Sequence, residues 1–124
     1  HFMGTLPHNQ FVSLLQISTA HVYLTYPFVA SWSLLEAMSA GCAVVASDTA
    51  PIQEFIDHEK HGLLTPFFDV EALTANIVRV LEDPALRSYM GEEARKRIRF
   101  YYDLHSVCLP RLVKWVDFLS HVRH

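Results

Sequence analysis

Cysteine is scarce in this sequence, with Cys42 and Cys108 the only two among 124 residues. Both stand in apolar surroundings. The two could form one disulfide, but two cysteines do not make the disulfide framework of a small secreted domain. Free buried thiols in a reducing compartment are the favoured interpretation. Charge of one sign is also lacking, because ten basic residues face thirteen acidic ones. That balance argues against a nucleic-acid-binding surface, and we expect no nucleic-acid partner.

Long apolar runs, a signal peptide, internal repeats and low-complexity tracts are absent from the sequence as well. We therefore expect a cytoplasmic protein, free or peripheral at the inner face of the membrane. The eight histidines lack the cysteine-backed spacing of a zinc site, and His58 and His61 fit a solvated turn better than a metal site. We expect no metal and no cofactor. The sequence starts at His1 rather than at a methionine, which suggests a fragment of a longer chain.

What the sequence does contain is apolar material, 51% of its residues, which is enough for the core of one domain. Short β-branched and apolar runs predict strands at residues 2–3, 21–25, 43–47 and 62–65. Helical spacing predicts helices at residues 8–18, 33–40, 51–56, 70–81, 84–100 and 104–122. Asp69 and Asp83 are the expected N-caps of the helices at 70–81 and 84–100. Pro110 is expected to kink the last helix or to delay its regular start.

The alternation of strands and helices over short connections indicates an α/β fold. We expect a Rossmann-like parallel sheet of three to four strands, with right-handed crossovers and flanking helices. A free-standing doubly wound sheet has about five or six strands. The predicted sheet is therefore small for this fold class.

An ordered series of short motifs follows this alternation. It includes Tyr26-Pro27, the helical segment LLEAMSAG, the strand VVASD and the turn HGLL. In this order the motifs resemble the C-terminal domain of GT-B glycosyltransferases of family 4, which are retaining enzymes that use nucleotide sugars. The resemblance runs from Phe2 to about Arg97. It implies that residues 1–124 form a single partial domain, the second half of a GT-B C-terminal domain.

The resemblance also implies a donor site. Glu36 matches the second of two glutamates in the family's motif, which implies that its carboxylate binds the ribose hydroxyls of the nucleotide. The first glutamate falls on Phe28, so the group that touches the sugar there is not a carboxylate. A helix N-terminus can hold a diphosphate through its backbone N–H groups. The further donor-site residues implied are Ala30, Ser31, Trp32, Ser33 and Thr49.

Local structure offers competing interpretations of these residues. Ser33 and Glu36 fit the S-x-x-E capping box, in which the glutamate reaches back to the backbone of the cap residue. The motif alone favours the cap, whereas the resemblance favours the ligand, and a cap at Ser31 would leave Glu36 for the ligand. Trp32 has the alternative of lying in the core. Glu54 has the alternative of a ligand contact, but a structural hydrogen bond to a neighbouring loop is favoured. The basic run at residues 95–99 is expected to form a solvated helix face.

The resemblance implies that the full-length enzyme transfers a sugar from a nucleotide-diphosphate sugar to an acceptor hydroxyl, with retention of the anomeric configuration. The nucleotide-diphosphate sugar is then a substrate and not a cofactor. The implied partners are this donor, an N-terminal domain and the upstream half of the domain. The family's catalytic arginine and lysine would precede His1, so the catalytic residues stay unassigned and we expect no transferase activity from this chain alone.

The alternative is a non-catalytic interaction or oligomerisation module. It would form a homodimer through an exposed sheet edge or through the C-terminal helix, whose apolar stripe contains Trp115, Phe118, Leu119 and Val122. A phosphoacceptor or flavodoxin-like domain is disfavoured, because Asp48 stands alone where an acidic cluster is needed.

Overall fold

A three-stranded parallel sheet forms the centre of the protein. The computed structural model describes residues 1–26 and 29–122. Its strands are β1 (His21–Tyr23), β2 (Val44–Ser47) and β3 (Leu63–Thr65), in the order β1-β2-β3. All four residues of β2 are buried, which explains their unbroken run of small and apolar side chains. The predicted α/β fold with a small parallel sheet is confirmed.

Six α-helices and one π-helical turn surround this sheet within the described residues. They are α1 (His8–Ile17), α2 (Trp32–Ala40), α3 (Ala50–Gln53), α4 (Val70–Glu82), α5 (Pro84–Tyr102), the π-helical turn Leu104–Cys108 and α6 (Leu109–His121). In the described part of the chain, every helix is too short or too polar to cross a lipid bilayer.

Two of the predicted helix starts are confirmed in atomic detail. The carboxylate of Asp69 accepts a hydrogen bond of 2.8 Å from the N–H of Ala72 and thereby caps α4. The carboxylate of Asp83 accepts one of 2.9 Å from Leu86 at the start of α5. Asparagine or aspartate at this position satisfies an N–H group that has no acceptor within the helix.

Other predicted boundaries were wrong. Residues 2–3 form no strand, and Phe2 is fully exposed, because a short apolar run becomes a strand only where a neighbour pairs with it. By contrast, the last helix begins at residue 104 as predicted, and the carboxylate of Asp103 caps it by accepting a 2.8 Å hydrogen bond from the N–H of Ser106, but its first turn is not regular α-helix. The N–H of Cys108 bonds to the carbonyl of Asp103 in a wide π-type turn, and regular α-helix begins only at Leu109. Pro110 follows at once, so its expected delay of the regular start is confirmed.

The two faces of β2 belong to two separate apolar clusters. Val44 and Ala46 pack on one face with residues of α1, α2 and α5, whereas Ala43 and Val45 pack on the other with residues of α4 and α5. This alternation is the period of two that side chains follow along a strand. Both faces of the central strand are therefore covered by helices.

Helices α2 and α5 approach each other unusually closely. A Cβ atom added to Gly91 of α5 would lie 2.2 Å from the carbonyl oxygen of Gly41, which ends α2. Gly41 itself has a φ of 78°, the left-handed conformation that glycine adopts most easily after a helix. Arg95 of α5 donates to the carbonyls of Ser39 and Ala40, at 3.1 and 2.5 Å. Helix α5 thus fixes the carboxyl end of α2.

Candidate functional site

The carboxyl ends of the parallel strands and the amino end of α2 lie on the same edge of the sheet. In open α/β sheets, this edge is where ligands bind. Glu36 projects from α2, and one third of its side chain, 33%, is exposed. Its Oε1 atom lies 3.4 Å from Nδ1 of His8, the first residue of α1. The carboxylate is therefore accessible and has one neighbour from a different helix.

The capping-box interpretation of Glu36 was wrong. The N-cap of α2 is Ser31, with an extended backbone (ψ 160°), and Ser33 already lies inside the helix. Glu36 is the fifth helical residue, too far along the helix to reach back to Ser31 as the third residue of a capping box does. Because the cap falls on Ser31, the carboxylate of Glu36 is left for a ligand.

The amino end of α2 carries the other residues of the predicted donor site. Trp32 is 81% exposed, so its alternative assignment to the core was wrong. The hydroxyls of Ser31 and Ser33 lie 2.6 Å apart, and Ala30 packs against the core at the helix entrance. Trp32 and Ser33 supply first-turn N–H groups, which have no acceptor within the helix. Phe28 lies outside the described residues.

Tyr23, at the end of β1, is a site residue that the sequence analysis missed. Its buried hydroxyl accepts a 2.9 Å hydrogen bond from the backbone N–H of Ser31. Burial raises the pKa of this hydroxyl, but its interactions with Ser31 and Thr25 outweigh burial and lower the pKa below the usual value for tyrosine. The Ser31 N–H is thus already engaged. The one available signal was a tyrosine, rather than a phenylalanine, in a buried strand.

The loop after β2 contributes polar groups to the same edge. The Oγ of Ser47 accepts a long hydrogen bond of 3.4 Å from the N–H of Thr25. Thr49 is 6% exposed, and its hydroxyl has no hydrogen-bond partner among residues 1–26 and 29–122. Buried hydroxyls nearly always have a partner, so this oxygen is suited to a water or a ligand atom. Asp48 is held by the side-chain amide of Gln53 at 2.7 Å.

A cavity of about 220 Å³ opens beside these residues, between the ends of the strands and the start of α4. Its lining is mostly apolar and includes Leu24, Phe67, Phe68 and Leu73, with Ser47 and Thr65 as polar members. Phe68 has a φ of 71°, which is uncommon for a bulky residue. Nothing in the sequence indicates this cavity, because its walls come from segments that meet only in the folded chain.

Several residues singled out in the sequence have structural roles. Arg97 donates to the carboxylate of Asp57 and to the backbone carbonyl of Glu54, each at 2.9 Å. With Arg95 bound to the end of α2, the prediction of a merely solvated basic face was wrong for these two arginines. The hydrogen bond at Glu54 joins this residue to helix α5 rather than to the predicted neighbouring loop. Its acceptor is the backbone carbonyl of Glu54 rather than the carboxylate.

The pair His58 and His61 is engaged by the backbone. Nδ1 of His58 accepts from the N–H of Leu64 at 2.9 Å, and Nδ1 of His61 accepts from the N–H of Asp57 at 3.2 Å. His61 is buried, and this burial is the main reason that its pKa lies below the ordinary value. An acceptor nitrogen carries no proton, so the 3.4 Å contact of His61 with the Asp57 carboxylate is not an ion pair. Both rings support the turn before β3.

The family of glycosyl transferases group 1 matches residues 1–97, which include every element from α1 to most of α5. The chain belongs to this family. Its members transfer a sugar from a donor to an acceptor. The fold confirms the expected GT-B type of α/β domain.

Individual relatives show how far the similarity extends. A phosphatidyl-myo-inositol mannosyltransferase of Mycolicibacterium smegmatis is 37% identical over 85 residues, covering 68% of this chain and 22% of that protein. The structure of a sucrose-phosphate synthase from Thermosynechococcus elongatus superposes with a TM-score of 0.84 and 25% identity, over 98% of this chain and 30% of that one. This chain therefore spans less than a third of either protein.

The structure of the C-terminal domain of a glycosyl transferase group 1 family protein from Francisella tularensis is also similar. It superposes with a TM-score of 0.75 over 84% of this chain and 54% of that domain. Its identity is 20%, so this match speaks for the fold alone.

Proposed function

We propose that this chain is the donor-binding part of a retaining glycosyltransferase of family 4 and that it binds a nucleotide-diphosphate sugar. The observation that carries the proposal is the carboxylate of Glu36. It is partly exposed, it lies on the ligand-binding edge of the sheet, and the helix cap at Ser31 does not require it. A carboxylate in this setting can accept hydrogen bonds from both hydroxyls of a ribose, and charge-assisted bonds of this kind are strong.

The diphosphate would lie at the amino end of α2. The donors there are the N–H groups of Trp32 and Ser33 and one of the two hydroxyls of Ser31 and Ser33, since the other hydroxyl donates within the pair. The N–H of Ser31 is not among them, because Tyr23 accepts its hydrogen bond. Tyr23 instead holds the start of α2 in place. The buried Thr49 hydroxyl is a further candidate contact, because it has no partner within the described residues.

In the proposed reaction, the bond between the anomeric carbon and the diphosphate breaks, and the oxygen of an acceptor hydroxyl bonds to that carbon with retention of configuration. The hydroxyl proton leaves with the nucleoside diphosphate. Negative charge develops on the leaving diphosphate, and groups aimed at that charge give most of the catalytic effect. The residues of this chain bind and orient the nucleotide. We further propose that the chain is the second half of a C-terminal domain, that it acts with an N-terminal domain in the cytoplasm, and that it has no transferase activity alone.

A second candidate, an interaction module, draws support from α6. Leu112, Trp115, Val116 and Leu119 lie on one side of this helix and are all exposed. Such an amphipathic helix can pair with a second copy of the chain. A molecular mass that does not change with protein concentration would count against the module, whereas dimerisation lost in Trp115→Ser would support it.

The donor proposal is tested by titrating UDP, GDP and ADP separately into the chain, with calorimetry as the readout. We expect one of the three nucleoside diphosphates to bind. Glu36→Ala should weaken this binding at least tenfold, because the ribose loses both of its hydrogen bonds to the Glu36 carboxylate. Glu92→Ala, which removes an exposed glutamate from α5, is the matched control and should bind as the unaltered chain does. The proposal is wrong if no diphosphate binds to the folded chain, or if both variants bind equally well.

A further inference from the structure

The contact between His8 and Glu36 joins two helices at the proposed donor site. His8 is the first residue of α1, and its side chain is 74% exposed, whereas Glu36 stands on α2. Their closest atoms, Nδ1 and Oε1, are 3.4 Å apart. A surface contact this exposed between an imidazole and a carboxylate contributes little to the stability of a fold. A structural role therefore does not account for the placement of an imidazole against this carboxylate.

The start of α1 does not need the His8 side chain either. Pro7 precedes the helix, and its carbonyl accepts hydrogen bonds of 3.0 Å from both Gln10 and Phe11. The imidazole makes no side-chain cap at this helix start, whose cap position is Pro7. Replacement of His8 is thus expected to leave α1 and the fold intact.

The geometry relates His8 to any ligand of Glu36. A hydroxyl hydrogen-bonded to Oε1 lies about 2.7 Å from that oxygen. Its distance from Nδ1 of His8 is then at most about 6 Å, because the two side-chain atoms are so close. A ribose bound by Glu36 therefore lies next to the imidazole. In addition, a glutamate side chain has several rotamers, and an imidazole nitrogen 3.4 Å from the carboxylate restricts the choice among them.

We propose that His8 is a positioning residue of the donor site, which holds the carboxylate of Glu36 in the orientation that accepts the ribose hydroxyls. This inference rests on the proposed function, since it takes Glu36 as the ribose ligand. It assigns a role at the nucleoside to a residue that no motif in the sequence singled out. The ligand class is a ribonucleoside diphosphate, recognised through its vicinal hydroxyls.

A double-mutant cycle tests the coupling. Dissociation constants are measured for the nucleoside diphosphate that the unaltered chain binds and for its 2′,3′-dideoxy counterpart, with His8→Ala, His8→Gln, Glu36→Ala and the double variant His8→Ala/Glu36→Ala. We expect His8→Ala to weaken binding of the ribonucleotide about two- to fivefold and to leave binding of the dideoxy form unchanged. His8→Gln retains a donor and should restore most of the affinity. On the Glu36→Ala background, loss of His8 should have no further effect. Circular dichroism checks that each variant is folded.

His105→Ala, which removes an exposed histidine from the π-helical turn, is the matched control and should bind normally. Unchanged affinity in His8→Ala would overturn the inference while the donor proposal stands, provided that Glu36→Ala still weakens binding. The inference would also be overturned if His8→Ala weakened binding of the ribonucleotide and of its dideoxy form equally, or if it still weakened binding on the Glu36→Ala background. In either case His8 would act independently of Glu36. Absence of binding by the unaltered chain would overturn both proposals together.

Discussion

Replacement of Gly91 by alanine tests the packing of α2 against α5, and through it the support of Glu36. The new Cβ atom would lie 2.2 Å from the carbonyl oxygen of Gly41, and both groups belong to the backbone, so no side chain can turn away. An ordinary C···O contact is about 3.3 Å, and the helices must therefore separate by about 1 Å. Overpacking of this kind costs about 1–3 kcal/mol in a well-packed interior.

Helix propensity alone predicts the opposite sign for this substitution. Alanine stabilises a helix interior by about 0.5–1 kcal/mol relative to glycine. We expect the steric cost to exceed this gain, so that Gly91→Ala lowers the free energy of unfolding by about 1–2 kcal/mol. Urea denaturation followed by circular dichroism measures the change.

Ser88→Ala, an exposed position nearly one turn earlier on α5, is the control for propensity and should be neutral or slightly stabilising. Gly91→Ala should also weaken nucleotide binding, because α2 carries Glu36 and α5 fixes its end. A Gly91→Ala variant as stable as the unaltered chain, or more stable, would refute the close approach of the two helices.

Two further predictions concern single side chains. Tyr23→Phe should lower the free energy of unfolding by about 1 kcal/mol, because the Ser31 N–H loses its acceptor. It should also weaken binding of a nucleoside diphosphate more than binding of the free nucleoside. Equal losses of binding would contradict a role at the diphosphate. Burial is the main reason that the pKa values of His61 and His21 lie below the ordinary histidine value. As the pH falls, these histidines therefore take up protons in the unfolded chain before they do so in the folded chain. These two histidines should therefore leave the stability unchanged above about pH 6.5 and lower it as the pH drops below that value, with a smaller fall in His61→Gln; identical pH profiles would contradict this.

The sequence was sufficient for the elements whose cause is local. The capping aspartates Asp69 and Asp83 marked the starts of α4 and α5 because a cap acts within three residues of itself. The central strand was recognisable because a strand buried on both faces has an unbroken apolar run. The motif series around Glu36 pointed to glycosyltransferases of the GT-B type, which the match of the group 1 family over residues 1–97 supports.

The sequence was insufficient where a residue's role depends on a distant neighbour. Trp32 is exposed, although tryptophan side chains are on average largely buried. The burial of a side chain depends on which other elements the fold packs against it. The contact of Gly91 with Gly41 joins residues fifty positions apart, and neither glycine predicts the other. The approach of His8 to Glu36 likewise depends on how α1 packs against α2. Residues 2–3 have the composition of a strand but no partner strand among the described residues.

A crystal structure of the chain with its nucleoside diphosphate bound would show whether Glu36 is the ribose ligand. We expect both ribose hydroxyls to lie about 2.7 Å from the carboxylate oxygens of Glu36, with the diphosphate at the amino end of α2. A nucleotide bound elsewhere, with the Glu36 carboxylate still facing only His8, would show that Glu36 is not the ribose ligand.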